Sequence, residues 1–498
     1  LGTICGDELH FVFGDRTLAT SCCRRFSVGG VANRQCAAVS TGKSWCVSLS
    51  GYSLAVLFCG REQCGIRLRS ATLYGSVASE DSDGDTHSME QKTITLLLDC
   101  LHQDAARVSS EQLASLSSGE WRALITLAQT QKVGGALYHR LKSRGAEKLA
   151  PQESWLALQS TYWSNAANNL SMQRELHQII TALHEREIQV IVLKGAYLAD
   201  VVYNNPALRQ MTDIDLLVKV DYLERTVEVL GVQSYILQQP YLRSIEPRLI
   251  KTDNLSIDVH WNVSMPNLPY SMDADELWAN AVPVSLAGTT VLGLCAEDLL
   301  LHICMHWVYK HQLESGIQPI CDIAATINHY RDTLNWEKLA QRARQWKWDR
   351  GVYLAFRLAK ELVGAAVPEE ILQNLQPVVF DESLLIMAQR YMSVDQKIAH
   401  VVSPRLAQLW HASNPIDKML ELLRAIFLPK ITIASMYGIS PSSLRLYFYY
   451  AVRLKDILLK YWRVTLSLYR GDPMLISIAY PKAILGKWLA EESSAHKS

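Results

Sequence analysis

Between residues 190 and 261 the spacing of apolar and polar positions changes from that of a strand to that of a helix and back again. Val190, Ile191, Val192 and Leu193 form a short, largely β-branched run closed by Lys194-Gly195, the pattern of a buried strand ending in a tight turn. Ala196, Leu198, Ala199 and Val202 then recur at helical spacing until Asn204-Asn205-Pro206 stops them. From Asp213 to Val218 the period is two, with Ile214, Leu216 and Val218 on one face and Asp213 and Asp215 on the other. The same alternation returns downstream, where Ile257, Val259 and Trp261 oppose Ser256, Asp258 and His260. The spacing predicts core strands at all three places, with Asp258 facing the Asp213 and Asp215 pair from a neighbouring strand.

On both sides of this core the period is helical. Trp121, Leu124, Ile125, Leu127 and Ala128 make one apolar stripe, Leu137, Tyr138 and Leu141 another, and Trp155 to Glu187 reads as one long amphipathic helix entering the first core strand. Aromatic residues at helical spacing, such as Trp155, Tyr162 and Trp163, are expected in the core. Helical spacing resumes from Glu297 to about Val363 and continues between the punctuating Pro368, Pro377, Pro404, Pro415 and Pro429. The expected fold is α+β, a small mixed β-sheet flanked by helical regions. Its expected divisions are an extension over 1–88, an N-terminal helical region over 89–182, the core over 183–295 and a C-terminal helical region over 296–498.

Composition narrows the reading. The 498 residues are 49% hydrophobic and 20% charged, ordinary globular material long enough for two or three domains. Lys plus Arg and Asp plus Glu are equal at 49 each, so no global field favours nucleic acid or an anionic membrane. The most apolar stretches, near Leu444–Leu468 and Met474–Leu485, are broken by Arg445, Arg453, Lys455, Asp456, Lys460, Arg463, Pro481 and Lys482. They are expected to be packed helices rather than membrane spans, and the expected location is cytoplasmic. Residues 1–88 stand apart: they hold Cys5, Cys22, Cys23, Cys36, Cys46, Cys59 and Cys64 and a single lysine, Lys43. The first methionine is Met89, where the helical pattern begins. This segment is expected to be a disordered extension or an over-extended upstream translation; a zinc or disulfide module is the alternative.

Asp213 and Asp215 are candidates for chemistry because like charges sharing a strand face raise one another's proton affinity unless a cation lies between them. Oxygen ligands select Mg²⁺ or Mn²⁺ over zinc. The motif Asp-x-Asp alone is weak: Asp81, Asp83 and Asp85 lie in a polar run, and Asp273 and Asp275 suit a helix start. Only the pair at 213 and 215 sits in an apolar strand. Lys194 and Gly195 offer a cation and backbone N–H groups to phosphate, and Arg209 a bidentate fork. His302 and His306 would share a helix face near His311, but the leucine-rich setting favours buried hydrogen-bonding histidines over a zinc site.

The run LKGAYLADVVYNNPALRQMTDIDLLV, followed by IDVHW, resembles the uncharacterised branch of the polymerase-β-like nucleotidyltransferase superfamily. LLLHICMHWVYKH, DIA, NWEKLAQRARQW and FLPKITIASMYG are similar to that branch's helical C-terminal part, so the likeness runs from about Glu90 to Leu485. Gly195-Ala196 stands where the superfamily usually has Gly-Ser. The resemblance implies transfer of a nucleoside monophosphate from a nucleoside triphosphate to an acceptor hydroxyl with release of pyrophosphate. In it Asp213, Asp215 and Asp258 hold Mg²⁺ or Mn²⁺, Asp258 helps deprotonate the acceptor, and Lys194, Gly195 and Arg209 orient the phosphates. A small molecule, a peptide or an RNA is the expected acceptor. The alternatives are a toxin-like enzyme acting on RNA and an inactive binding or assembly subunit.

Overall fold

The computed structural model divides into two compact units, Leu1–Ser82 and Asp83–Ser498. Side chains are described from residue 91 to residue 490, apart from 239–246, 252–254, 264–271, 273, 393, 395–398, 413, 417, 431, 435 and 441. In the first unit the backbone forms two antiparallel sheets: β1 (Ile4–Cys5), β2 (Glu8–Phe13) and β3 (Arg16–Thr20) in one, and β4 (Gln35–Val39), β5 (Lys43–Ser50) and β6 (Ser53–Cys59) in the other. The expectation for residues 1–88, including the pairing state of its cysteines, falls on side chains that lie outside the described residues.

The second unit is α+β, with a seven-stranded mixed sheet wrapped in helices. Its strands are β7 (Ile191–Val192), β8 (Ile214–Leu217), β9 (Ile236–Leu237), β10 (Arg248–Ile250), β11 (Ser256–His260), β12 (Val282–Leu286) and β13 (Thr289–Gly293). They lie in the order β12-β13-β7-β8-β11-β10-β9. β8 is central, antiparallel to β7 and parallel to β11, with Asp215 and Asp258 directly opposed as register partners. A central strand is covered on both faces, so Ile214, Asp215, Leu216 and Leu217 are all buried.

The 33-residue helix Gln152–His184 delivers the chain to β7, burying Leu158, Met172, Leu176, Ile179, Ile180 and Leu183. Tyr138 packs its ring against Trp155 at 5.0 Å and Tyr162 at 4.9 Å, as core aromatics do. Trp163 differs from the expectation and is 59% exposed, lying at the rim of that cluster with its ring edge-on to Tyr162 at 5.3 Å. The helix Ala296–Met305 is buried along most of its length and runs into a π-helical turn, His306–Lys310.

The two apolar C-terminal stretches are helices, as expected, but they pack differently. Pro473–Ala490 buries Leu475, Ile478, Ala479, Ala483, Leu485 and Trp488. Leu446–Tyr469 buries only Leu446 and Leu468 among its described side chains, because it lies on the outside of the bundle and packs along one narrow strip. No helix among the described residues is long and apolar enough to cross a membrane.

Candidate active site

The site is built where β7 runs out. Leu193 N–H donates to the Asp215 carbonyl at 3.0 Å, and the chain then turns at Lys194, whose φ of +36° lies in the left-handed region. This turn aims the Lys194 ammonium at Asp215 Oδ1, 2.9 Å away. Four α-helical residues, Lys194–Tyr197, and a π-helical turn, Leu198–Val202, follow. A Cβ on Gly195 would stand 3.1 Å from Arg209 Nη1, so glycine is what lets the guanidinium pass beneath the turn.

The three aspartates lie in one electrostatic neighbourhood but are held differently. Asp215 is 4% exposed and accepts from both Lys194 Nζ and His260 Nε2, the latter at 2.8 Å. Burial would push its carboxyl up, but the Lys194 ammonium and the His260 bond outweigh this and hold it well below the usual carboxylate range. Asp258 receives the two-pronged fork of Arg248, Nε at 2.7 Å and Nη2 at 2.6 Å, from its register partner on β10. Asp213, just before β8, accepts from Thr212 Oγ1 at 3.2 Å. Its carboxyl is raised, first by burial and then by the Asp215 carboxylate, with Asp258 adding to the effect and Lys194 opposing it. Asp215 and Asp258 thus both bear on Asp213, and the parallel register sets Asp258 opposite Asp215.

Behind the turn, Arg209 places Nε 2.9 Å and Nη2 3.0 Å from the two oxygens of Asp322, which also accepts from Tyr203 Oη at 3.0 Å. Asp322 lies in the helix Gln318–His329, so this network ties the approach to β8 to the C-terminal helices. His302 is buried and His306 half-buried beside the same centre. Burial first, and then the Lys194 charge, push both imidazoles well below their ordinary value, so they stand neutral. His311 Nε2 lies 3.2 Å from His306 Nε2.

Residues 117–364 match the family described as an uncharacterised nucleotidyltransferase. That stretch of the chain belongs to the family. A solved structure that it resembles, the solution structure of the antibiotic-resistance factor ANT(2'')-Ia, aligns over 36% of this chain and 94% of its own at 14% identity, with a TM-score of 0.27, a likeness too slight to bear on function. No curated protein matches the chain.

Within the matched stretch, Lys194, Gly195, Asp213, Asp215 and Asp258 lie together, but Arg209 is differently placed. Its fork is occupied by Asp322, because the guanidinium is buried behind the turn rather than open to a ligand. Reading by alternation left Arg248 and His260 without roles. His260 shares the Asp258 face, so its place was visible though its partner was not. Arg248 precedes β11 by one hairpin, and the pairing of Arg248 with Asp258 depends on a register that no spacing reveals. His302 is buried but, unlike the expected hydrogen-bonding histidine, leaves its Nδ1 without a partner among the described residues, and His306 is half-buried in the π-helical turn; both lie close enough to the site to feel the Lys194 charge.

Proposed function

We propose that this protein is a divalent-metal-dependent nucleotidyltransferase moving a nucleoside monophosphate from a nucleoside triphosphate to an acceptor hydroxyl on a small molecule, peptide or RNA. The observation that carries the reading is the parallel register of β8 and β11, which sets Asp258 opposite Asp215 and leaves Asp213 with a proton affinity raised by both. Asp215 and Asp258 already face basic partners, whereas Asp213 is raised by burial first and then by Asp215, a buried carboxyl whose charge a divalent cation would relieve.

The donor set fits Mg²⁺ or Mn²⁺. Asp213 and Asp215 are hard oxygen donors on one strand face, and Mg²⁺ needs only one or two carboxylates when triphosphate oxygens and water complete its shell. Among the described residues no ready-made group of three or more His, Cys, Asp or Glu ligands exists, which such partial ligation does not require. Asp213 and Asp215 would hold the ion, with Asp258 the added ligand once Arg248 lets go. The bound metal would bring the triphosphate against the site and offset charge as pyrophosphate leaves.

The remaining roles belong to the chain itself. Lys194 stands beside the carboxylates at the start of the turn, where its ammonium and the backbone of Gly195 receive phosphate oxygens. Arg209 supports that turn from behind through Asp322. Arg248 is 49% exposed and can exchange Asp258 for a phosphate oxygen, freeing the carboxylate to take the acceptor proton. The proton passes to Asp258, the acceptor oxygen bonds to the α-phosphorus, and the bond to pyrophosphate breaks.

The test is incubation of the full chain with each radiolabelled nucleoside triphosphate and Mg²⁺ or Mn²⁺, following pyrophosphate release and label transfer to candidate acceptors. Metal-dependent pyrophosphate release that disappears in Asp213→Asn supports the reading. Release that Asp213→Asn leaves unchanged refutes it.

A further inference from the structure

The helix Leu446–Tyr469 is inverted relative to an ordinary surface helix. Its inner strip packs through the half-buried Ile457, Tyr461 and Val464 and the buried Leu468, at a spacing of three to four residues, and through the buried Leu446 three turns earlier on the same side. The opposite, solvent-facing side should be polar and is not. Leu458, Leu459, Trp462 and Tyr469 are 56%, 66%, 51% and 58% exposed, with Tyr447 and Leu466 on the same side. The neighbouring helix Pro415–Ile426 runs alongside, joined where Arg453 Nε donates to the Ala425 carbonyl at 2.8 Å and where Lys418 stands over the Tyr469 ring at 5.7 Å. It adds exposed Ile416, Met419 and Leu420. Isolated exposed apolar residues are ordinary, but a contiguous two-helix face of them marks an interaction surface.

We propose that this face docks on an anionic lipid bilayer, lying in the headgroup plane without crossing it. Charge selects the occupant. The whole chain carries equal numbers of basic and acidic residues, yet this helix carries Arg453, Lys455, Lys460 and Arg463 against Asp456 alone. Cations flanking an apolar face that includes Trp and Tyr are what an interfacial helix presents to acidic headgroups. A second copy of the same helix would bring like charges together, which disfavours self-association through it. A nucleic acid needs a row of cations, whereas Lys455 is the basic residue set within this apolar side. The five charged side chains and the packed inner strip also exclude insertion across the bilayer.

The experiment is sedimentation of the full chain with phosphatidylcholine vesicles with and without phosphatidylglycerol. Binding is expected to require phosphatidylglycerol and to weaken as salt rises. With about 1 kcal/mol per basic residue near such a surface, Lys460→Gln with Arg463→Gln should weaken binding roughly 25-fold. Leu458→Ser with Trp462→Ser should weaken it as well, and brominated acyl chains should quench Trp462, a signal that Trp462→Phe removes. Circular dichroism checks the folding of each variant, and the charge pair decides the matter if the apolar pair unfolds. Equal binding to both vesicle types, or none, overturns the proposal. A dimer in sedimentation velocity that Leu458→Ser with Trp462→Ser dissolves overturns it in favour of a second copy. Capture of the helix by RNA in place of vesicles overturns it equally.

Discussion

Replacing Asp213 and Asp215 separately by asparagine should split catalysis from stability, although the two residues share a strand face. Both variants should lose nucleotidyl transfer, since each removes a proposed metal ligand. Only Asp215→Asn should damage the fold. The side chains of Lys194 and Asp215 are 11% and 6% exposed and 2.9 Å apart, so the substitution leaves a buried ammonium facing a neutral amide. Breaking a buried pair from one side costs about 3–5 kcal/mol. With an unfolding entropy of roughly 2.1 cal/mol/K per residue over roughly 400 residues, that is a fall of about 4–6 °C in melting temperature. Asp213 has the opposite sign: its carboxyl is raised by burial and by Asp215, so its charge opposes folding at neutral pH. Asp213→Asn should therefore melt no lower than the parent.

The pH dependence adds a second reading of the same pair. Because the folded state holds the Asp215 carboxyl below its ordinary value, its contribution is complete above the unfolded value, about 3.9, and is lost as pH falls towards the folded one. The gap between the parent and Asp215→Asn should narrow below about pH 4. Differential scanning calorimetry of both variants from neutral to acid pH measures all of this. Equal melting temperatures for Asp215→Asn and the parent at pH 7, or an equal fall for Asp213→Asn, would refute the account of how the two carboxylates are held.

Arg248→Ala removes the fork from Asp258, whose side chain is only 8% exposed, so the stranded carboxylate should cost about 1–3 kcal/mol of stability. Transfer should then saturate at lower Mg²⁺ while its maximal rate falls; an unchanged Mg²⁺ titration would show that Arg248 does not compete with metal. Asp322→Asn withdraws the buried partner of Arg209 and an acceptor for Tyr203, so both melting temperature and triphosphate affinity should fall. Calorimetry and nucleotide titration check this, and an unaltered affinity would detach the Arg209 network from the phosphate turn. A chain beginning at Met89 should keep its activity and melt within about 2 °C of the full chain, since the second unit has a core of its own, described from Leu96 to Leu489, and loses only the first turns of the helix Asp83–Leu101. A larger fall, or zinc bound stoichiometrically by the longer chain alone, would make the cysteine-rich segment a module that the rest depends on.

Local pattern sufficed for whatever depends on neighbours in sequence. The strands at Ile191–Val192, Ile214–Leu217 and Ser256–His260 follow from period-two or unbroken apolar spacing, and the stop at Asn204-Asn205-Pro206 follows from turn chemistry. Because alternation fixes which side chains share a face, Asp213 and Asp215, and Asp258 with His260, could be grouped from residue order alone. What joins the groups could not. The parallel pairing of β8 and β11, the fork of Arg248 on Asp258 and the closure of Arg209 on Asp322 bring together residues 43, 10 and 113 positions apart. Such contacts arise from register and helix packing, which no periodicity encodes. The same limit explains the helix Leu446–Tyr469: its apolar content was plain in the sequence, but only its place on the outside of the bundle decided that one face would meet solvent, because a helix that is apolar on both sides does not itself specify which side is covered.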